Sequence, residues 1–348
     1  MPSRSLERMP VESAIALRPI DPELGEVLEG TLRQRAVLAE IAAAAAHAGE
    51  LIFVGAGGSW ASTVPAHFLL GHSDSPVRCQ NIQSGEFVTA PPPQLGPGAV
   101  VVASSHTGST PETVEAANLA RRRGAVTVSL ARDADNPLAN ASQWHLTYGS
   151  DRTITPAKHM LLGQLVEFLC SGSGQLSQEV IDTYDRLPSA LQDASVQSEP
   201  WLSDLAVEIG RHDTAFVLGS GPNFGLSYLL SMCYLMEMQW MNSACFNSGE
   251  FFHGAFEMAQ EGTPVVVLLG EDDTRPLGER AVRFLDRYVG SQLVLDSRDL
   301  AFSGVLASAR PRIAHMGMSI MIARLIEHPE FVRQHDLGQR RYMHKVEY

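Results

Sequence analysis

The residues of this chain best suited to chemistry lie between Val100 and Glu115, in Val-Val-Val-Ala-Ser-Ser-His-Thr-Gly-Ser-Thr-Pro-Glu-Thr-Val-Glu. The apolar, β-branched start reads as a buried strand. The end reads as a helix start, with Thr110 as N-cap and Pro111 at the first helical position. Between them stand Ser104, Ser105, His106, Thr107, Gly108 and Ser109. A strand-to-helix loop offers free backbone N–H groups and the positive end of a helix dipole, and hydroxyls add donors. Those are the means of holding a phosphate. The loop lacks the Gly-Lys-Ser/Thr ending of a nucleotide P-loop. A plain helix cap would explain Thr110 and Pro111. The four hydroxyls of Ser104, Ser105, Thr107 and Ser109, packed into one short loop, argue for a ligand.

Candidate acid–base groups come later in the chain. Leu229 to Met241 is a nearly all-apolar helix with one carboxylate, Glu237. Desolvation raises the pKa of such a group and suits it to general-base work near neutral pH. The alternative is a glutamate on the one wet edge of a core helix. His253 lies in the glycine-bracketed Gly249-Glu-Phe-Phe-His-Gly254, with Glu250 just before it to orient it. Lys345 belongs to the compact tail Arg340-Arg-Tyr-Met-His-Lys-Val-Glu-Tyr348, which is either a surface tail or one that folds over a site.

The elements that must position these groups span 348 residues, enough for about two domains. The chain is 45% hydrophobic and 19% charged, an ordinary globular balance with ample core. Its net charge of −13 argues against a nucleic-acid partner, so an anion must be held by a local site. Cys79, Cys170, Cys233 and Cys245 form no Cys-x-x-Cys pair. Neither zinc nor a disulfide framework is indicated, and reduced thiols of a cytoplasmic protein are expected. No apolar signal region or bilayer-length run is present, so no membrane partner is expected.

Residues 1–34 read as an N-terminal arm and helix, 35–191 as a first domain and 200–348 as a second, with a linker at 192–200. In the first domain, Leu51–Val54 reads as a strand ending in Gly55-Ala-Gly-Gly-Ser-Trp60. Further strands near 77–82, 100–103 and 125–130 alternate with helices, which implies a mostly parallel sheet covered on both faces. The pattern then returns. Gly219-Ser-Gly221 repeats the Gly55-Ala-Gly57 turn at an offset of 219 − 55 = 164. Ser84-Gly-Glu-Phe87 recurs at 248–251, again 164 on, and Val100–Val102 recurs at 265–267, 165 on. Three matches at offsets of 164, 164 and 165 mark two copies of one unit: an α/β fold of two tandem doubly wound parallel-sheet domains. The second copy has Gly270-Glu-Asp-Asp-Thr274 in place of the hydroxyl loop, and three carboxylates there would repel a phosphate. The glycine turn resembles a dinucleotide fingerprint, but Gln80 and Asn81 stand where the ribose-binding acid should be, so no NAD is expected. Ser59, beside the turn, would face the same ligand as the hydroxyl loop.

Together these residues resemble the sugar isomerase (SIS) domain family in its tandem form, over about residues 45 to 348. The shared marks are Gly57-Gly-Ser59, the Ser-x-Thr-Gly-x-Thr loop at 105–110, Ser-Gly-Glu-Phe at 84–87, Ser-Gly-Glu-Phe-Phe-His-Gly at 248–254 and the tail at 340–348. The chain looks closest to the fructoselysine-6-phosphate deglycase group, and more distantly similar to the isomerase half of glucosamine-6-phosphate synthase. The spacing of the family's catalytic glutamate and histidine is the spacing of Glu237 and His253 here (253 − 237 = 16). The resemblance implies that Ser59, Ser105, Thr107 and Thr110 bind phosphate and that Glu237 moves a proton between C1 and C2. It implies that His253 assists acid–base steps, often from the partner subunit of a homodimer, and that Lys345 reaches the substrate. It also implies a small phosphosugar substrate, with no metal and no cofactor. Ala255 departs from the proline that usually follows His-Gly, His106 stands where many members have Gln, and Thr155-Pro-Ala-Lys158 replaces the Ser-Thr-Lys of many relatives. The departures bear on the substrate and leave the class intact.

The expected activity is cleavage of a 6-phosphorylated ketosamine, an Amadori compound, to glucose 6-phosphate and a free amine. The alternatives are an aldose–ketose or ammonia-dependent aminating isomerase and, in another class, a non-catalytic phosphosugar-binding regulator. Such regulators carry a helix-turn-helix and basic residues, neither of which is visible here.

Overall fold

The computed structural model describes residues 15–290, 292–343 and 345–347. Residues 1–14, the start of the expected arm, lie outside them. Among the described residues nine strands form two parallel sheets. β1 (Glu50–Gly55), β2 (Arg78–Gln83), β3 (Val100–Ser104), β4 (Val126–Ala131) and β5 (Trp144–Thr147) pair in the order β2-β1-β3-β4-β5. β6 (Thr214–Gly219), β7 (Asn242–Asn247), β8 (Val265–Leu269) and β9 (Gln292–Asp296) pair as β7-β6-β8-β9. The two sheets therefore share one winding. The starts of their first strands are offset by 214 − 50 = 164, of their second by 242 − 78 = 164 and of their third by 265 − 100 = 165, matching the sequence repeat. Every residue of β3 and β8 is buried, as expected of parallel strands with helices on both faces.

Residues 192–200, expected to be a linker, are not a loop. They lie within a single helix, Gln178–Gly210, that runs through Pro188 and Pro200. Its stripe of Leu187, Leu191, Ala194, Leu202, Leu205 and Ile209 is buried in one core that also holds Leu51 of the first sheet and Val217 of the second. Burying each large aliphatic side chain contributes about 1.5–3 kcal/mol, and an interior proline costs about 3 kcal/mol. The stripe wins, so the helix continues.

The helices Ile154–Cys170 and Arg310–Leu325 pack together at the centre of this shared core. A close approach of Asn223–Tyr228 to the helix starting at Val64 completes the junction of the two units. A Cβ at Gly225 would stand 2.3 Å from the Ala61 carbonyl oxygen and 2.7 Å from the Val64 Cβ. Residues 15–19 also belong to this side of the molecule: Arg18 pairs with Glu330 at 2.9 Å, and Arg324 donates to the Arg18 carbonyl at 2.8 Å. No helix among the described residues is long and apolar enough to cross a membrane.

The central helix pair buries His159 against His315, with ring centroids 5.0 Å apart. Neither ring nitrogen of His159 nor Nδ1 of His315 has a hydrogen-bond partner. Burial holds His159 well below the ordinary histidine value and takes His315 down to about 3. Both are neutral in the folded chain and charge only on unfolding below pH ~6.5. Their contribution to stability is full above that pH and is lost as pH falls below it. The unfolding free energy should drop from pH 7 to pH 5 with a slope approaching about 1.4 kcal/mol per pH unit for each histidine. Urea titrations across this range check it: His159→Phe should flatten the slope, and a flat wild-type profile would refute the assignment.

Candidate active site

In the strand order β2-β1-β3, the chain leaves β1 and β3 toward opposite faces, and open α/β sheets take ligands at this switch point, beyond the carboxyl ends of the strands. Gly55 of β1 and Ser104 of β3 are paired in register there. After Gly55 the backbone turns sharply. A Cβ on Gly55 would lie 2.8 Å from the Trp60 nitrogen, and Gly57 has φ +52°, a region open to glycine. The turn presents Ser59 at the start of the short helix Gly58–Ala61.

After β3 come the hydroxyls. Ser105 Oγ lies 2.9 Å from Thr110 Oγ1, and Thr107 Oγ1 lies 2.6 Å from Ser109 Oγ. Pro111 begins the helix Pro111–Arg122 as expected, but the Thr110 side chain makes no capping bond. Its hydroxyl turns to Ser105 instead, so the plain helix-cap explanation of Thr110 fails. Gly108 has φ +67° and packs on Asn136 so closely that a Cβ would stand 2.1 Å from the Asn136 side chain. Ser105 is buried, Thr110 half-buried and Thr107 exposed, so the loop forms a cup open on one side.

Beneath the cup sits Lys158, from the helix Ile154–Cys170. Its Nζ donates to Ser59 Oγ at 2.9 Å and to Ser104 Oγ at 3.1 Å. Lys158 is about 1% exposed, and burial lowers its pKa to about 7. Ser59 and Ser104, from two different strand ends, thus converge on one buried ammonium. The wall is completed by His106, whose Nδ1 lies 2.8 Å from Tyr148 Oη and Nε2 3.1 Å from Asp151 Oδ1. Arg132 Nη1 also donates to Asp151, at 2.7 Å, and holds its carboxyl below the usual range. Burial, then the Lys158 charge, lowers the His106 pKa. In the sequence Lys158 stood out only as the last residue of Thr155-Pro-Ala-Lys158, where many relatives have Ser-Thr-Lys, and was not among the candidate site residues. Tyr148, Asp151 and Arg132 carried no signal there.

The second copy of the switch point is filled by the protein itself. Asp272 Oδ1 accepts from the Thr274 backbone N–H at 2.9 Å and its hydroxyl at 2.6 Å, directly over the Gly221 turn. Glu271 is taken by Arg310 at 2.6 Å. A carboxylate from the chain stands where the first copy presents hydroxyls.

The helix that carries Glu237 comes to the first cup from the second unit. This helix, Leu229–Met238, is wound as a π-helix, a form frequent at functional sites. It docks on the glycine turn: a Cβ at Gly58 would lie 3.0 Å from Leu229 Cδ1 and 3.7 Å from Cys233 Sγ. Tyr228 meets Trp60 edge-on at 5.1 Å. Glu237 lies beyond Cys233 on the same helix, and burial together with the Glu237 charge pushes the Cys233 thiol up to about 12. The Glu237 side chain is 24% exposed and its Oε1 accepts from Arg340 Nη2 at 2.7 Å. Of the two readings of this carboxylate, a desolvated base or a glutamate on a wet edge, the structure takes a middle course: it is half-buried, and the C-terminal tail folds back over the helix and supplies a guanidinium. Arg341 of the same tail stacks 4.1 Å from the Trp240 ring. Lys345 donates to the Arg340 carbonyl at 2.6 Å, beside the glutamate's partner.

His253 does not join these groups within the chain. It ends the short 3₁₀ turn Glu250–His253, which buried Phe251 pins into a cluster with Phe246, Phe252, Phe256 and Phe284. With that anchor inward, His253 is exposed. Among the described residues no group of three or more metal-ligating side chains assembles.

The helix bearing Glu237 thus docks on the glycine turn of the other unit, and comparison with known proteins identifies the class. The chain belongs to the SIS domain family, which matches residues 46–167. It is 32% identical over 302 residues to fructosamine deglycase FrlB of Bacillus subtilis (strain 168), covering 86% of this chain and 92% of that protein. It is 25% identical over 270 residues to the fructoselysine 6-phosphate deglycase of Escherichia coli (strain K12), covering 77% and 78%. A Salmonella typhimurium LT2 protein assigned as a phosphosugar isomerase superposes with a TM-score of 0.84 at 32% identity, over 92% of this chain and 99% of that one. The chain is thus an enzyme of the deglycase and isomerase class of this family.

The cup depends on Gly108. Gly108→Ala adds a Cβ that collides with Asn136 at a positive φ, and should weaken binding of inorganic phosphate at least about tenfold through misplaced hydroxyls. Calorimetric titration of the folded variant measures this; wild-type affinity would show that the loop geometry is immaterial to the anion.

Proposed function

We propose that the enzyme is a phosphosugar deglycase that cleaves a 6-phosphorylated ketosamine to glucose 6-phosphate and a free amine or amino acid. The observation that carries this proposal is the hydroxyl cup of the first unit, with its buried lysine, docked against the helix that bears Glu237. The names of the two deglycase relatives support the substrate class. Four free cysteines suit a cytoplasmic setting.

Ser59, Ser105, Thr107 and Thr110 take the 6-phosphate, whose remote binding energy fixes the reacting carbons. Glu237 removes a proton from C1, and the C1–C2 enaminol forms as the C2 carbonyl gains a proton. The same carboxylic acid returns its proton to C2 on the same face, leaving a C1 imine. Water adds to that imine and the amine departs, giving the C1 aldehyde of glucose 6-phosphate. Arg340 gives the Glu237 carboxylate a charge partner in place of water before substrate arrives. The tail that carries Arg340 also brings Lys345 toward the substrate. No proton transfer in this sequence calls for a metal or a cofactor.

His253 stands exposed at the end of its short turn, which suits a homodimer in which the partner's His253 completes the site as second acid–base group. An aldose–ketose isomerase would use the same glutamate for the same two carbons. The substrate separates the two activities.

Incubation with a panel of 6-phosphorylated Amadori compounds, with release of glucose 6-phosphate as readout, tests the proposal. Turnover of fructose 6-phosphate alone would favour the isomerase; tight binding with no turnover would favour a sensor. Glu237→Gln should abolish turnover while phosphosugar binding persists; unchanged turnover would remove it as the base. Mixing inactive Glu237→Gln and His253→Ala subunits should restore about a quarter of wild-type activity, because half the dimers regain one intact site of two. No recovery after subunit exchange would place both groups in one chain.

A further inference from the structure

Lys158 is a buried ammonium with two hydroxyl partners and, among the described residues, no carboxylate within ion-pair distance. A charge buried without a counter-ion is costly. Elsewhere in the chain buried or half-buried cations are paired: Arg324 with Glu199 and Glu327, Arg310 with Glu271, Arg275 with Asp296. Lys158 alone of this set has, among the described residues, only the Ser59 and Ser104 hydroxyls as hydrogen-bond partners.

We propose that Lys158 is the positioning cation of the phosphate site, reserved for the anion of the substrate. An ammonium only donates. Ser59 and Ser104 therefore accept from it, and each serine's own proton is free to point elsewhere. For Ser59, at the edge of the cup, that direction is the ligand. The hydroxyls of the loop are neutral, so Lys158 supplies the positive charge that a dianion needs in a chain of net charge −13.

The other groups that sense this charge are few. The Tyr148 ring lies 5.8 Å from Nζ. His106 in the loop above and His159 next to it on its own helix both titrate below the ordinary histidine value. In the empty site burial leaves Lys158 near pKa 7. A dianion seated above it stabilises the ammonium, so binding at pH 8 takes up a proton at Lys158, well above the range of either histidine.

The assignment rests on the cup being a phosphate site, and the test separates the two. Titration calorimetry of the full-length protein with sulfate, a dianion that does not itself titrate near neutrality, in buffers of different ionisation enthalpy should show uptake of a large fraction of a proton per anion at pH 8. Lys158→Met should abolish the uptake and weaken sulfate, inorganic phosphate and glucose 6-phosphate about 10- to 100-fold, with its circular dichroism unchanged. Anion binding by the wild type with no proton uptake, or wild-type affinity in a folded Lys158→Met variant, would overturn the role of Lys158 alone. A wild-type protein that binds none of the three anions would overturn the phosphate site and the role of Lys158 with it.

Discussion

The two α/β units meet through backbone, and glycine makes that contact possible. Gly225 brings its helix against the Ala61 carbonyl, and Gly58 lets Leu229 and Cys233 press on the turn that presents Ser59. Any side chain at Gly225 would force the helices apart, since the nearest atoms are backbone and a β-branched side chain. The carboxylate of Glu237 and the hydroxyl cup at 105–110 come from different units, far apart in sequence. Their relative position is only as firm as this junction. The long helix Gln178–Gly210 and the central helices with His159 and His315 then lock the junction within one shared core.

Duplication supplies the second theme. Both units keep the same winding and the same glycine turn, yet their switch points now differ in charge. In the first, hydroxyls and a buried lysine line the switch point. In the second, Asp272 folds over the Gly221 turn and is satisfied by Thr274. There the chain's own carboxylate occupies the position, and the helix after β6 carries Glu237.

The tail adds a third layer. Arg340 lies against Glu237 and Arg341 against Trp240, so the C-terminal segment is structural to the site. Trp240 itself has φ +52°, uncommon for a bulky residue. It lies one residue past the C-cap of the π-helix, Gln239, where the backbone must turn into β7. Strain of this kind persists where packing over-determines it, and here both Arg341 and His335 hold the ring.

Local sequence determined much of this protein, because strand runs, glycine turns and repeats are encoded by neighbours. The buried runs of β3 and β8, the two-copy organisation and the hydroxyl loop were all legible. The edge strands β5, β7 and β9 were not, since a half-exposed strand such as Asn-Ser-Ala-Cys-Phe-Asn lacks the apolar run that marks a central one. The continuity of the helix through 192–200 was hidden too, because polar residues and Pro200 mask a stripe that only the shared core rewards. Which groups face Lys158, that Thr110 turns to Ser105, that Arg340 pairs with Glu237 and that His253 points outward were decided by tertiary structure alone. Each depends on atoms brought together from distant parts of the chain, and a residue's type says nothing of what will stand opposite it.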